Sequence, residues 1–253
     1  MAEPLPDPIP AATLVLFRES TAAAPELLFV ERARAMAFAA GAVVFPGGRV
    51  DPGDHALALA LRGDDDDIAG RIAAIRETIE EAGIAVGLDP VPDTAVLDRL
   101  RAGLHAQRPF GELLKAEGLT LDPDVLVPFA RWCPRHAHSR IFDTRFYLAQ
   151  LPEGAPEPVA DATENVRAFW RRASEMLDDV AAGEAHAIFP TRRNLERLAG
   201  FASYAAAVAD ARAFPVRTVT PWTETRDGDA HLCIPDDLGY PITAEPLARA
   251  MRD

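Results

Sequence analysis

The sequence predicts an α/β fold, with strands and helices combined in one domain. Short apolar runs bounded by turn residues, such as 11–18 and 26–33, are typical of strands. Helical segments alternate with them, and 68–82 carries one apolar stripe of isoleucines with spacing 4, 3, 4 at Ile68, Ile72, Ile75 and Ile79. Because no internal repeat or long low-complexity linker divides the 253 residues, we expect one domain over 1–253.

The composition excludes several classes of protein. Apolar residues make up 49% of the chain, which is ample for a core, and the net charge is −13. Such acidity argues against nucleic-acid binding, which needs clustered Lys and Arg. The chain has no apolar run of membrane-spanning length and no basic leader after Met1. We therefore expect a cytoplasmic protein without nucleic-acid or membrane partners, for which a homodimer is compatible with the sequence.

The first half of the chain predicts a strand pair followed by a glycine loop and a long helix. The runs 11–18 and 26–33 form a hairpin or adjacent pair, and a third apolar run, 41–48, ends at proline and two glycines. A short helix is expected near 55–62. The acidic residues of 63–67 then cap a helix over 68–82, which Gly83 ends.

The second half predicts further strands and helices in alternation. In order, we expect a strand near 84–87, a helical insert over about 93–117, strands near 125–132, 143–151 and 165–170, a helix near 173–182, a C-terminal helical extension within 190–213, and a final strand and turn.

Three carboxylates occupy one face of the helix at 68–82. Glu77, Glu80 and Glu81 project together because residues three or four apart share a face, and Arg76 can pair with Glu80. On its own such a cluster is typical of an ordinary solvated helix surface. The preceding "FPGGRVDPGD" favours a different interpretation, since hard oxygen ligands beside a glycine loop suit Mg²⁺ or Mn²⁺ and a phosphate chain.

This combination resembles the Nudix hydrolase family, whose box reads G-x5-E-x7-R-E-U-x-E-E-x-G-U, with U a bulky apolar residue. The matching residues are Gly48, Arg76, Glu77, Glu80, Glu81, Gly83 and Ile84. The chain departs from the box where Asp54 replaces the first glutamate, where 21 residues instead of seven precede Arg76, and where Thr78 replaces an apolar residue. We expect the insertion, at about 55–67, to loop out without moving the glutamates. The resemblance implies a Nudix-type α/β/α sandwich with extra helical insertions.

A narrower resemblance is to the peroxisomal coenzyme A diphosphatase subgroup of the family. "GAVVFPGG", "AIRETIEEAG" and "RIFDTRFYLAQ" are similar to stretches of that subgroup. In a related motif upstream of the glycine loop, Arg32, Ala33 and Gly41 match, whereas Ala37 stands where a second arginine is usual. The implied substrate is coenzyme A or acyl-coenzyme A. NADH or ADP-ribose hydrolysis, and nucleotide sensing without catalysis, are the alternatives.

The resemblance also implies roles for individual residues. The metal, Mg²⁺ or Mn²⁺, is expected on Gly48, Glu77, Glu80 and Glu81. The catalytic group comprises Arg76, which orients the glutamates, Glu80, and Glu164 as the base, because it precedes a strand that should return near the site. Two interpretations of Asp54 stay open: it pairs with an arginine and keeps loop and helix in register, or the long insertion removes its equivalence to the first glutamate of the box. Substrate phosphate is expected to meet Arg32, Arg140 and Arg145.

Overall fold

The fold is of the predicted α/β class, with helices on both faces of a mixed sheet. A computed structural model describes residues 5–33, 39–62, 65–135, 140–161 and 163–250. Its strands are β1 (Ile9–Arg18), β2 (Glu26–Arg32), β3 (Val43–Val44), β4 (Gly47–Arg49), β5 (Leu88–Asp89), β6 (Thr120–Leu121), β7 (Val127–Trp132), β8 (Phe142–Gln150), β9 (Asn165–Arg172), β10 (Thr218–Val219), β11 (Trp222–Arg226), β12 (Asp229–Cys233) and β13 (Ala244–Pro246).

The helices follow the predicted order along the chain. They are α1 (Pro52–Arg62), α2 (Asp66–Ala82), α3 (Thr94–His105), α4 (Phe110–Glu117), α5 (Ala173–Ala182), α6 (Phe189–Leu198), α7 (Tyr204–Ala213) and α8 (Leu247–Ala250), with a 3-10 turn at Pro123–Val125. Helix α1 occupies the expected box-loop insertion, and α3 with α4 forms the expected helical insert. Within the described ranges, no helix is both long and apolar enough to cross a bilayer.

One large sheet organises the molecule. Its strand order is β10-β7-β8-β1-β2-β3, with β4 also paired to β1 and β9 to β2. Strand β1 runs parallel to β8 and β10 runs parallel to β7, while the other pairings are antiparallel. The predicted pairing of the first two strands is confirmed, with Phe17 opposite Leu27. The sheet is therefore mixed.

The central strands separate two apolar cores. Leu14 and Leu16 of β1 face the core that contains α2, α3 and α4, whereas Val15 and Phe17 face the core that contains α5, α6 and α7. Successive side chains of a strand point to opposite faces, so a strand buried on both sides reads as a continuous apolar run. That is why "ATLVLF" is apolar without alternation.

Helix α2 has the boundaries that its capping residues dictate. The side chain of Asp65 accepts a hydrogen bond from the Asp67 N–H at 2.8 Å, and Gly83, at φ 68°, ends the helix by donating its N–H to the Ile79 carbonyl. All four isoleucines of the predicted stripe are buried in the first core. This packing fixes which face of α2 is turned toward the glycine loop.

One predicted strand was wrong. Residues 84–86 are buried but form no strand, because the chain turns at Gly83 and at Gly87, both with positive φ, and the apolar side chains only fill the core. The apolar run 41–48 divides between two strands. Strand β3 pairs with β2 and β4 pairs with β1, so the chain changes partner near Pro46. Near the C-terminus, β12 lies where a strand was expected, but its partners β11 and β13 in a small sheet were not predicted.

Candidate active site

The glycine loop is in direct contact with the C-terminal half of α2. A side-chain carbon added to Gly48 would lie 2.4 Å from Glu77 Oε1. Gly47 donates its N–H to Glu81 Oε2 at 2.9 Å, and a carbon added there would lie 2.4 Å from the Ala12 carbonyl oxygen. No larger residue fits at either position without displacing a neighbour. The doubled glycine is what lets the two carboxylates approach the backbone of the loop.

Arg76 joins the start of α1 to the glutamates. Its Nε and Nη2 atoms donate to the two carboxylate oxygens of Asp54 at 3.0 and 2.9 Å, and Nη1 donates to Glu77 Oε1 at 2.7 Å. Burial lowers the pKa of Arg76, but the hydrogen bond with Asp54 and the charges of Glu77 and Asp54 outweigh it and raise the pKa above its usual range. The pairing of Asp54 with an arginine is thus present, despite the insertion.

The three box glutamates share a site that is short of positive charge. Burial is the main cause of a raised pKa at Glu77, although Arg76 opposes it, and burial raises the pKa of Glu80 as well. Glu81 is more enclosed, and burial followed by repulsion from Glu77 raises its pKa. Strongly shifted carboxyl groups that lie together are typical of functional sites.

The donor set fits Mg²⁺ or Mn²⁺, although the side chains do not form a ready coordination shell. Among the described residues, no three His, Cys, Asp or Glu side chains converge as metal ligands. Glu77 Oε1 accepts from Arg76, and the Glu81 oxygens accept from Gly47 and Asn165. Clustered, poorly neutralised carboxylate oxygens are nevertheless the chemistry that a hard dication needs. The role of the Gly48 carbonyl as a ligand stays a prediction.

Arg32 and Glu164, two of the site residues proposed from the sequence, lie close to each other and to Glu81. The Arg32 guanidinium lies 4.0 Å from Glu81 Oε1 and 3.6 Å from Glu164 Oε2. Its buried Nε atom has no hydrogen-bond partner in the described structure. The Glu164 side chain is 58% exposed, so it borders solvent at the mouth of the site. An arginine with a free donor beside the glutamates is placed to meet an anionic substrate.

Asn165 is a site residue that the sequence analysis missed. It is fully buried at the start of β9, and its Nδ2 atom donates to Glu81 Oε1 at 3.0 Å. Asp161 holds the preceding turn, because its Oδ1 atom accepts the N–H groups of Thr163, Glu164 and Asn165. Only the adjacent Glu164 in the sequence hinted at this residue, since an asparagine beginning a strand carries no motif of its own.

The helical insert also reaches the glutamates, which no sequence pattern indicated. Arg101 of α3 donates to the Glu80 carbonyl at 3.1 Å and to the Val159 carbonyl at 2.8 Å. His105 Nδ1 lies 3.5 Å from Glu80 Oε1. The insert therefore connects the end of α2 to the segment that leads to Glu164.

Arg140 and Arg145 are not brought together with the glutamates. Arg140 is exposed just before β8. Arg145 pairs in register with Ala12, which pairs with Gly48, so the backbones of Arg145 and Gly48 are about 10 Å apart at the usual strand spacing. The Arg145 side chain passes Gly70, two helical turns before Glu77. This position does not favour contact with a phosphate bound at the glutamates.

The chain is similar to known proteins both in sequence and in fold. No protein-family model matches the chain. The chain is 32% identical to a Nudix hydrolase from Alicyclobacillus acidocaldarius, with a TM-score of 0.69 to its crystal structure over 80% of this chain and 96% of that one. It is 30% identical over 208 residues to the acyl-coenzyme A diphosphatase NUDT19 of Homo sapiens, covering 68% of this chain. The chain spans about half the length of the curated relatives it matches, 51% of the human protein and 55% of one from Caenorhabditis elegans.

The fold and the site together define an α/β protein that presents helix carboxylates to a glycine loop. The chain belongs to the Nudix hydrolase family. The family resemblance of the sequence and the predicted fold class are confirmed.

Proposed function

We propose that this protein hydrolyses the diphosphate bridge of a nucleoside diphosphate linked to another moiety, and that the substrate is coenzyme A or acyl-coenzyme A. The observation that carries the proposal is the contact of Glu77 and Glu81 with the Gly47–Gly48 loop, in a site where the carboxylates of Asp54, Glu77, Glu80 and Glu81 outnumber the arginines Arg32 and Arg76. Membership of the Nudix hydrolase family supports the reaction. The similarity to the human acyl-coenzyme A diphosphatase supports the substrate class.

The assigned metal ligands are Glu77, Glu80, Glu81 and the Gly48 carbonyl. Bound Mg²⁺ or Mn²⁺ would offset the phosphate charge and lower the pKa of a coordinated water. The side chains of this chain prepare the site for that ion. Arg76, fixed by Asp54, holds Glu77 in place through a 2.7 Å hydrogen bond, and Asn165 holds Glu81. These contacts limit the rotation of two long carboxylate side chains.

The remaining steps fall to Glu164 and Arg32. Water attacks one phosphorus atom, the bridging P–O bond breaks, and Glu164 accepts the proton that the water loses. Its carboxylate is exposed at the mouth of the site, where water reaches it. The Arg32 guanidinium, which lies beside Glu81 and Glu164, donates to a phosphate oxygen of the substrate. A small-molecule substrate without nucleic acid and a cytoplasmic location remain predictions of the sequence, which is compatible with a homodimer but does not predict one.

Substrate choice is tested by incubating the protein with coenzyme A, NADH or ADP-ribose, with and without Mg²⁺, and separating the products by chromatography. We expect coenzyme A to yield a phosphopantetheine and adenosine 3′,5′-bisphosphate, and NADH and ADP-ribose to react more slowly. Glu80→Gln and Glu81→Gln should each lower kcat by at least about a hundredfold, because a ligand to the metal loses its charge.

Glu153→Gln is the matched control, since this glutamate is exposed in the loop after β8 and far from α2 in sequence. Its activity should equal that of the wild type. Binding of nucleotides without turnover of any of them would instead favour a sensor, and preferred turnover of NADH or ADP-ribose would overturn the coenzyme A assignment.

A further inference from the structure

A second cluster of polar side chains lines a cavity near the N-terminal end of α2. The cavity has a volume of about 370 Å³, and its walls come from β7, β8, the segment before β10, and the start of α2. Its charged and hydroxyl-bearing lining residues include Asp67, Arg131, Arg145, Tyr147 and Arg217. Three arginines around one cavity are notable in a chain with a net charge of −13.

This cavity is separate from the glutamate site. Asp67, which lines it, and Glu80 lie on the same helix but are separated by roughly 20 Å along the axis and by roughly 140° around it. Across the sheet, the register runs from Gly48 through Ala12 and Arg145 to Arg131, so the cavity lies two to three strands away from the glycine loop. A phosphate bound in the cavity would not touch the glutamates.

Two like charges face each other in the cavity wall. Arg131 of β7 and Arg145 of β8 are directly opposite in the antiparallel pair, an arrangement that is destabilising unless an anion lies nearby. Arg131 has such a partner, because it donates to both oxygens of Asp143 at 2.7 and 2.5 Å. Arg145 has no hydrogen bond or ion pair with another residue of the described structure. Its charge is left uncompensated.

The other charges around the cavity are already paired. Arg217 forms an ion pair with Asp237. Asp67 accepts a hydrogen bond from Arg71 Nε at 2.8 Å and another from the Tyr147 hydroxyl at 3.0 Å. Asp67, the one carboxylate among the described residues that line the cavity, is therefore paired within its own wall, and Arg145 is the lining charge that has no such partner.

The helix makes room for this arginine. A carbon added to Gly70 of α2 would lie 2.7 Å from the Tyr147 hydroxyl oxygen and 3.2 Å from Arg145 Cδ. Glycine inside a helix is less favourable than alanine by about 1 kcal/mol. The glycine lies where Arg145 and Tyr147 pack against α2. The position of the Arg145 side chain is therefore set by the packing of the sheet against the helix.

We propose that this cavity binds a phosphate group of a small phosphorylated molecule, with Arg145 as the main ligand and Arg131 and Arg217 beside it. A guanidinium offers paired N–H donors that match two oxygens of a phosphate, and a phosphate would also relieve the repulsion between Arg131 and Arg145. The site does not depend on the proposed hydrolase activity, because neither its residues nor its position involve the box glutamates.

The test is a titration of the full chain with inorganic phosphate, in EDTA so that no dication serves the glutamate site, and at constant ionic strength set with chloride. Isothermal calorimetry gives the Kd, and thermal unfolding gives the shift in Tm on binding. We expect wild-type protein to bind phosphate, and Arg145→Met to weaken binding at least about tenfold. Arg217→Met should weaken binding less, since Arg217 is already paired with Asp237.

Arg108→Met is the matched control, because Arg108 is an exposed arginine that does not line the cavity. It should bind phosphate like the wild type. Without phosphate, the Tm of Arg145→Met should equal or exceed that of the wild type, because the variant removes one of two opposed charges; this also checks that it folds. Absence of wild-type binding, or equal binding by Arg145→Met and Arg108→Met, would overturn the proposal.

Discussion

At the residue scale, the site depends on the buried ion pair between Asp54 and Arg76. The long insertion between these two residues does not prevent the pairing. Asp54 is 1% exposed and pairs with Arg76 through two hydrogen bonds, and Arg76 in turn holds Glu77. Although 21 residues separate Asp54 from Arg76, α1 and α2 pack together and restore the contact. The aspartate therefore positions Glu77 through the arginine.

Removing this aspartate should destabilise the protein. Asp54→Ala should lower the free energy of unfolding by about 3 kcal/mol, because it leaves the Arg76 charge buried with one fewer partner. Asp51→Ala is the control: its carboxylate is 59% exposed and lies 3.8 Å from Arg76 Nη2, so its effect should stay below about 1 kcal/mol. Urea denaturation measures both, and equal losses would contradict the account.

The two loop glycines should differ in what their replacement disturbs. The nearest atoms to an added carbon at Gly48 belong to the Glu77 carboxylate, a side-chain end, whereas at Gly47 they include the backbone of β1. We expect Gly48→Ala to weaken Mn²⁺ binding about tenfold with little loss of stability. Gly47→Ala should destabilise the protein by about 1 to 3 kcal/mol.

Gly53→Ala is the control for both, since an added carbon there meets nothing within 4 Å. It should leave Mn²⁺ affinity and Tm unchanged or raise Tm slightly. Calorimetry and thermal unfolding distinguish the three variants. A Gly48→Ala protein with normal Mn²⁺ affinity would show that Glu77 does not need the contact.

At the element scale, the helical insert supports the site from the side. Arg101 of α3 ties the carbonyl of Glu80, in α2, to the carbonyl of Val159, in the segment before Glu164. Val159 also donates its N–H to the Ala82 carbonyl. Arg101 and this backbone hydrogen bond thus connect the end of α2 to the segment before Glu164.

Arg101→Met should loosen that connection without unfolding the protein. We expect faster amide hydrogen exchange in the segment around residues 159–165 and a kcat lowered several-fold. Arg99→Met, on the same helix, removes only an exposed pair with Glu117 and should change neither. Unchanged exchange in Arg101→Met would mean that the segment is held by other contacts.

The sequence predicted α2 and its carboxylates because periodicity, capping residues and motif all lie within one short stretch. It could not predict that Ile84, Ala85 and Val86 fill a core without forming a strand, since a short apolar run is the same in both cases. Asn165 and His105 were missed for a different reason. They reach the glutamates only through long-range packing, which leaves no local pattern in the chain.

At the scale of the whole molecule, the protein is acidic yet is proposed to handle phosphates. Its net charge of −13 repels such ligands. The structure offers two local solutions near opposite ends of α2. Near the C-terminal end, the buried glutamates are suited to a dication, which would reverse the sign of the local charge. Near the N-terminal end, the cavity contains the positive charge of Arg145.

The central claim is that Glu77 and Glu81 belong to a binding site for a divalent cation. Calorimetric titration with Mn²⁺ tests this claim most directly. The wild type and Glu153→Gln should bind Mn²⁺ with the same affinity, while Glu81→Gln should bind about tenfold or more weakly. Equal Mn²⁺ affinity in all three proteins, or no binding by the wild type, would contradict the account.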